Sequence, residues 1–371
     1  MITGGLLGGF SATLVGLMLS RVLIGIGTSC AFPSAMLIVR RRARVAGLER
    51  PPGGVLGMLQ VAGFASASIG LPLGGLLVEW GGWRWVFLVN MPLGLISLLA
   101  ALRWLPRDAA SEADRRGVRE FMSDLDLPGL IGFAGAMTAL MIFVDTFPSP
   151  RWPLLWLSLT LWVVEAWWEL RARRPFLDLR LMIRELALTR TYVRYALINF
   201  SGYVVFLGLP QWLQVVRDLS ALEASMFLMP TMLVSIVATV PLSRANMVRG
   251  PLVWAAYSSL AAGALALALP SSAWPWLTPI IAVLTGLALG AGGTGNQLAL
   301  YHQAATANFG TASGLLRSFA ALGAISSSAV ASIAYTDDVT NAGMMTIAAA
   351  MVVVAGAVLV LSLLDRTLPR P

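Results

Sequence analysis

Leu14-Val15-Gly16-Leu17-Met18-Leu19-Ser20-Arg21-Val22-Leu23-Ile24-Gly25-Ile26-Gly27-Thr28-Ser29-Cys30-Ala31-Phe32-Pro33-Ser34-Ala35-Met36-Leu37-Ile38 is an apolar run broken by one charge, and it ends on Val39-Arg40-Arg41-Arg42-Ala43-Arg44. Crossing the hydrocarbon of a bilayer takes about 20 apolar residues at the helical rise, so this run is long enough to span. The arginines behind it mark the side that stays inside, because cationic loops resist translocation. The same arrangement recurs along the chain. Alternate loops hold Arg50, then Arg103, Arg107, Arg115, Arg116 and Arg119, then Arg171, Arg173, Arg174, Arg180, Arg184, Arg190 and Arg194, and finally Arg244, Arg249, Arg366 and Arg370. The loops between them hold only Arg84, Arg151 and Arg217, and all 26 basic residues of the chain are arginines.

Composition agrees with a lipid solvent. Apolar residues make up 57% and charged residues 12%, and the mean hydropathy is +0.78, a balance that no soluble core accommodates. The net charge of +8 sits in short juxtamembrane loops, which points to anionic lipid headgroups and away from nucleic acid. Cys30 and His302 are the sole cysteine and histidine, so neither a disulfide framework nor a thiolate metal site is available and no cofactor is expected. The chain carries no phosphate-cradling glycine loop, which excludes a one-chain ATP-driven pump.

Eleven runs reach spanning length, at 14–38, 53–78, 84–104, 127–146, 152–170, 192–213, 223–242, 252–269, 276–299, 312–335 and 343–364. Breakers such as Trp80-Gly81-Gly82, Pro148-Ser149-Pro150, Pro270-Ser271-Ser272 and Asp337-Asp338 separate them. The expected class is an all-α polytopic membrane protein with about eleven full spans and a partial first one, since residues 2–13 reach only half the length needed. The arginine bias and this parity place the C-terminus inside. The polar insert 103–126 reads as a cytoplasmic linker. The insert 171–191, where arginines alternate with Phe176, Leu177, Leu179, Leu181 and Met182, reads as an amphipathic segment on the inner surface.

Arg21, followed by Gly25 and Gly27, lies inside a span. An unpaired arginine there costs about 2.5–3.5 kcal/mol or more, so it either tunes a proton or substrate site or is hydrogen-bonded to backbone carbonyls for structure. The run Gly70-Leu71-Pro72-Leu73-Gly74-Gly75 combines small residues that let helix backbones approach with a proline that bends the axis. It suits a moving interface or a static packing face equally. Gly82-Trp83-Arg84-Trp85-Val86-Phe87-Leu88-Val89-Asn90-Met91-Pro92-Leu93-Gly94 follows.

This last run closely resembles the sixth helix of the fourteen-span drug:proton antiporters of the major facilitator superfamily. There, tryptophan-arginine-tryptophan precedes an apolar run, asparagine, one residue, proline and glycine. The stretch 70–75 looks like that family's antiporter motif and 21–27 like its arginine-glycine motif. Further along, Trp168-Glu169-Leu170-Arg171 through Leu181, Leu209-Pro210-Gln211-Trp212-Leu213-Gln214, Met229-Pro230, and Gly310-Thr311-Ala312-Ser313-Gly314-Leu315-Leu316-Arg317 are similar to later segments of the family. Within the matched motifs Ile24 stands where glutamine is usual, Pro72 is one place late, and the 243–250 loop lacks its usual aspartate.

The resemblance implies residues 1–105 as the remainder of an N-terminal bundle and 106–126 as a cytoplasmic linker. It implies 127–170 as two extra central helices, 171–191 as a cytoplasmic amphipathic linker, and 192–371 as a six-helix bundle. About two and a half helices of the family's pattern would precede Met1. The function it implies is proton-coupled efflux of lipophilic drugs or secondary metabolites across a bacterial-type inner membrane. The partners would be a small lipophilic substrate, protons and membrane lipids. The rivals are a truncated, transport-inactive remnant and a membrane-embedded transferase, the latter without an outer loop large enough for its acid.

Arg21, Gly25, Gly27, Gly70, Pro72, Gly74, Gly75, Arg84, Asn90, Pro92, Glu165 and Arg317 are the motif and coupling candidates. Asn199, Tyr203, Gln211, Gln214, Asn296 and Gln297 are candidates to line a polyspecific cavity with Phe206 and Trp212, because aromatics and amides suit flat lipophilic cations. Trp212, near a helix end, reads as an interfacial anchor in preference to cavity lining, while Asn296 and Gln297 serve equally as helix-packing glue beside the glycines 290–295, a stretch expected to be flexible. Proton exchange needs a carboxylate in a span, and Asp145 and Glu165 are the candidates. Glu165 lies one turn before Glu169 and has Arg171 and Arg173 nearby as alternative partners.

Overall fold

A computed structural model describes residues 1–48, 53–105, 126–146, 149–172, 175, 179–245, 247–272, 276–304, 309–365 and 367–368. All but the last residue of the arginine-bearing linker 106–126 and part of 171–191 therefore lie outside the described residues. Every regular element described is a helix: α1 Ile2–Phe10, α2 Leu14–Ser29, α3 Ala31–Val45, α4 Gly53–Gly81, α5 Arg84–Leu88, α6 Asn90–Trp104, α7 Leu127–Asp145, α8 Trp152–Glu169, α9 Leu179–Arg184, α10 Leu186–Val216, α11 Ala221–Ala245, α12 Arg249–Ala268, α13 Leu277–Gln303, α14 Phe309–Ala334 and α15 Asn341–Leu364. The all-α class is thus what the chain forms. Among the described residues eight helices are long and apolar enough to cross a membrane. The apolar runs at 14–38, 53–78 and 152–170 are helical as well, in α2 with α3, in α4 and in α8.

Two of the expected spans are interrupted, and proline gives the reason. Pro33 has no N–H for the Ser29 carbonyl, and the ladder breaks at Cys30; Pro92 has none for Leu88, and the ladder breaks at Val89. Cys30 and Val89 keep right-handed helical angles, so each span carries on past its gap. Local side chains start the helices. Thr13, Asp126 and Thr340 each accept from the backbone N–H three residues on. Ser220 and Glu223 form a reciprocal capping box, Ser220 N–H to Glu223 Oε2 at 2.8 Å and Glu223 N–H to Ser220 Oγ at 3.2 Å.

Packing is tightest among α10 to α15. Trp212, Leu228, Ile281, Met344, Ile347 and Met351 form the middle of the largest core. Helices α11 and α13 cross at backbone contact: a Cβ on Gly286 would collide with the Thr231 carbonyl and one on Gly290 with the Ser235 carbonyl. Ser235 Oγ bridges them by donating to Gly286 O at 2.9 Å. Gly290 to Gly295 are buried throughout, so the stretch expected to be flexible is a packing seam of small residues. Outward positions such as Trp156, Val163, Val237, Val353 and Val360 are apolar and exposed, as a helix facing lipid requires.

Candidate functional site

The arginine-glycine motif and the tryptophan-arginine run, some sixty residues apart in sequence, meet in space. The Arg21 guanidinium lies over the Phe87 ring, 4.6 Å from its centroid, and Arg84 lies over Trp83 at 4.6 Å. Gly4, Gly5, Gly8 and Gly9 of α1 let α2 and α5 approach: Gly4 faces Ile24, Gly5 faces Asn90, and Gly8 faces Phe87 and Ser20. Ser20 Oγ donates to Gly4 O at 2.6 Å. Asn90, four residues past Val86 and two before Pro92, donates to the carbonyls of Val86 and Phe87 at 3.2 and 3.1 Å. Gly25 opens onto empty space, whereas Gly27 sits against Met1. Arg21 is exposed and takes a ring face, not the backbone carbonyls of the structural alternative.

On α4, Gly70 and Gly74 are open and Gly75 touches Leu222, Ser225 and Ala221 of α11. Pro72 is carried inside the helix without ending it. The motif therefore lies along a helix–helix contact between α4 and α11, with two of its glycines unfilled.

Helix α10 gathers four of the cavity candidates on one face. Asn199 donates to Tyr195 O at 2.8 Å, Gln211 to Leu207 O at 2.9 Å and Gln214 to Pro210 O at 3.1 Å. One end of each amide is thereby tied to its own helix. Tyr203 is half-exposed beside Phe206, ring centroids 6.4 Å apart. Toward the end of α10 remote from Arg190 and Arg194, a cavity of about 420 Å³ is lined by Val144, Leu207, Gln211, Ser328, Tyr335 and Thr336 among others, a size suited to a small organic molecule. Tyr335 donates to Gly208 O at 3.1 Å and so fixes one wall. Across the packed face of α14, Arg317 is exposed and within electrostatic reach of Tyr195.

Three cavity candidates are placed elsewhere. Trp212 is 1% exposed, gives its indole N–H to Asn341 Oδ1 at 2.9 Å and lies under Arg217; it is neither a cavity wall nor a surface anchor. Gln297 is half-buried on α13. Asn296 is fully buried and belongs to a network that the sequence reading missed. Its Oδ1 accepts from Arg194 Nε at 2.9 Å, and Arg194 Nη1 pairs with Asp365 at 3.2 Å with both side chains wholly enclosed. Arg194 Nη2 donates to Thr191 Oγ1 at 3.2 Å, and Thr191 donates to Gln303 Oε1 at 2.8 Å. Asp365 also accepts from the Thr367 hydroxyl at 2.6 Å and lies 3.7 Å from Arg190. Loop counting assigned Arg194 and Asp365 to the inner surface; nothing local in either stretch announces a partner 171 residues away.

Glu165 is 4% exposed and points into the hairpin of α7 and α8, against Gly132. Glu169, one helical turn further along α8, is buried as well. Arg171 instead stacks on Trp167 at 4.1 Å, and Arg173 lies outside the described residues, as does the side chain of Asp145. Asp126 Oδ1 accepts from Trp168 Nε1 at 2.8 Å and Ser158 Oγ donates to Ala136 O at 2.9 Å, which ties the two helices together.

Membrane-length helices in close-packed bundles, with polar groups gathered on helix faces and at buried junctions, define a polytopic α-helical membrane protein. The sequence model of the Major Facilitator Superfamily matches residues 1–328, and the chain belongs to that family: it is a transporter-family protein, not an enzyme. It is 29% identical over 360 residues to the MFS-type transporter YwoD of Bacillus subtilis (strain 168), covering 95% of this chain and 77% of that one. It is 28% identical over 261 residues to a multidrug resistance protein B homolog of Mycobacterium tuberculosis (strain ATCC 25618 / H37Rv), covering 67% of this chain and 45% of the relative. To the efflux pump roqT of Penicillium rubens it is 27% identical over 247 residues, covering 64% and 44%.

Proposed function

We propose that this chain exports lipophilic small molecules against inward proton flow, as a member of the fourteen-span drug:proton antiporters. The observation that carries the reading is the α10 face. Asn199, Gln211 and Gln214 present amides anchored at one end to their own helix, Tyr203 adds a half-exposed ring, and Gln211 lines a cavity of about 420 Å³. Such a surface binds flat apolar molecules through stacking with few fixed polar demands, which is what a polyspecific site needs. Relatives whose names include efflux and multidrug resistance support the substrate class.

In this reading residues 1–105 and 192–371 belong to the two bundles and 127–170 to two extra helices. The linkers 106–126 and 171–191 lie on the cytoplasmic side of a bacterial-type inner membrane, together with the C-terminus. Alternating access rocks the bundles about a midplane site, and Gly70 and Gly74, open on α4, leave room for that movement. Arg21, Asn90, Pro92 and Arg317 are the coupling and gating residues.

Inverted membrane vesicles expressing the chain test this. With an imposed pH gradient, acid inside, a fluorescent lipophilic cation is expected to accumulate and to be released when the gradient is collapsed. Accumulation equal to that of vesicles lacking the protein, across a panel of such dyes, refutes the reading.

A further inference from the structure

We infer that the crevice between α7 and the ends of α10 and α14 is a site for protonated amines that selects its ligands by their N–H donors, an inference that rests on the export of small organic molecules proposed above. The face of α10 makes few polar demands of a ligand, and the crevice makes one. Its 420 Å³ or so has Val144 of α7 on one side, Gln211 of α10 on another, and Ser328, Ser332, Tyr335 and Thr336 of α14 and the turn behind it on the third. Positions 328, 332 and 335 recur at spacings of four and three, so they share one face. The α7–α8 hairpin thus supplies a wall of its own, through a helix that packs on α14.

A hydroxyl has one proton to donate and two lone pairs with which to accept, and along this wall the protons are spent on backbone carbonyls. Ser328 Oγ donates to Ile325 O at 2.8 Å, Thr336 Oγ1 to Ile333 O at 2.9 Å and the Tyr335 hydroxyl to Gly208 O at 3.1 Å. Gln211 gives one amide N–H to Leu207 O at 2.9 Å and keeps its carbonyl oxygen. These side chains turn mainly acceptors to a ligand, with the second Gln211 N–H and the Ser332 hydroxyl left to donate. The spent hydroxyls cannot reverse their role without breaking bonds to the backbone. A ligand without donors leaves such oxygens desolvated and unpaired, whereas an ammonium with several N–H groups satisfies several of them at once. Among the described residues no charged side chain lines the crevice, so hydrogen bonding decides between cations of equal charge. Asp337 and Asp338 follow Thr336 directly and are exposed, which draws cations toward that end. The amino headgroup of a phospholipid carries the same donors as a free amine; a space that accommodates a whole small molecule favours the free amine.

The test titrates the purified full chain, in phosphatidylcholine proteoliposomes and without a gradient, with a dansyl alkylamine and with its N-trimethyl counterpart. The two probes carry the same charge, and the second has no ammonium N–H; energy transfer from tryptophan reads their binding. The affinity for the amine is expected to exceed that for the quaternary probe by about tenfold or more. Ser328→Ala combined with Thr336→Val is expected to bring the two within about twofold by weakening the amine alone, and the unchanged quaternary affinity shows that the variant is folded. Equal affinities in the wild type overturn the inference, as does a preference that survives both substitutions. Val144→Ala widens the crevice, and a quaternary probe that then binds as well as the amine shows selection by size and overturns it too. Loss of amine affinity when phosphatidylethanolamine replaces phosphatidylcholine puts a lipid headgroup on the wall and overturns the assignment to a free amine. Because no gradient enters the titration, a donor preference in a protein that fails to accumulate dye leaves the site standing and overturns only the proton-coupled reading. Accumulation without a preference overturns the site alone.

Discussion

Replacing Asp365 by leucine should be among the most damaging single changes outside the candidate cavity. Asp365 and Arg194 are both fully enclosed and 3.2 Å apart, so the substitution strands a guanidinium where water cannot reach it. Breaking a buried pair from one side costs about 3–5 kcal/mol, most of it the uncompensated charge and little of it the attraction lost. Two of the guanidinium's hydrogen bonds survive, those it donates to Asn296 Oδ1 and Thr191 Oγ1, which holds the loss to the lower half of that range. The second contact of Asp365 adds little, because Arg190 is 44% exposed and regains solvent when released. Arg194→Leu should cost a similar amount, since it strands the carboxylate, although Thr367 still donates to it at 2.6 Å. The double variant should be less impaired than the sum of the singles by about 2–4 kcal/mol, because two apolar side chains replace the whole pair. Equilibrium unfolding in mixed micelles, followed by tryptophan fluorescence, measures each corner of the cycle. An Asp365→Leu variant within about 0.5 kcal/mol of wild type, or additive losses in the double, would refute the reasoning and reduce the network to a surface ion pair.

Other consequences are testable separately. Gly286→Val should destabilise by at least about 1–3 kcal/mol through overpacking against the Thr231 carbonyl, read as a loss of monodisperse protein after solubilisation; Gly74→Ala, with nothing in its way, should not. Gln211→Ala should weaken dye binding about two- to tenfold, the value of one hydrogen bond, in a fluorescence titration; unchanged affinity across several dyes removes the α10 cavity from the substrate path. Arg21→Leu should forfeit about 0.5–2 kcal/mol from its stack on Phe87, whereas Arg21→Lys should retain part of it. In a Cys30→Ser background, a cysteine at Arg217 should react with an impermeant maleimide in intact cells and one at Arg42 only after permeabilisation; the reverse pattern inverts the orientation read from the arginines.

What sequence reading reached and what it missed divide along the range of the forces involved. Spans are legible because each obeys a local rule, a run of apolar residues long enough for the bilayer; the arginine bias supplies an orientation, which the maleimide labelling tests. Even the interruptions at Cys30 and Val89 follow locally from Pro33 and Pro92, although they bear on hydrogen bonding and leave the spans in place. Two motif segments, 21–27 and 82–94, meet as one site because a glycine-lined α1 brings Phe87 beneath Arg21, and no residue within either segment encodes that meeting. The same holds more strongly for Asn296. An amide in a span is read equally well as cavity lining or as glue, and only Arg194, brought from a different helix, decides that it is enclosed. Glu165 shows the converse case. Its sequence neighbours offered arginines as partners; Arg171 lies on the Trp167 ring instead, and Gly132 opens the opposing helix to receive the carboxyl. A charge is therefore placed by the helix that packs against it. Along a single chain, helical periodicity predicts which side chains share a face; which faces meet is settled by small residues spaced for backbone contact, as Gly286 and Gly290 are against Thr231 and Ser235.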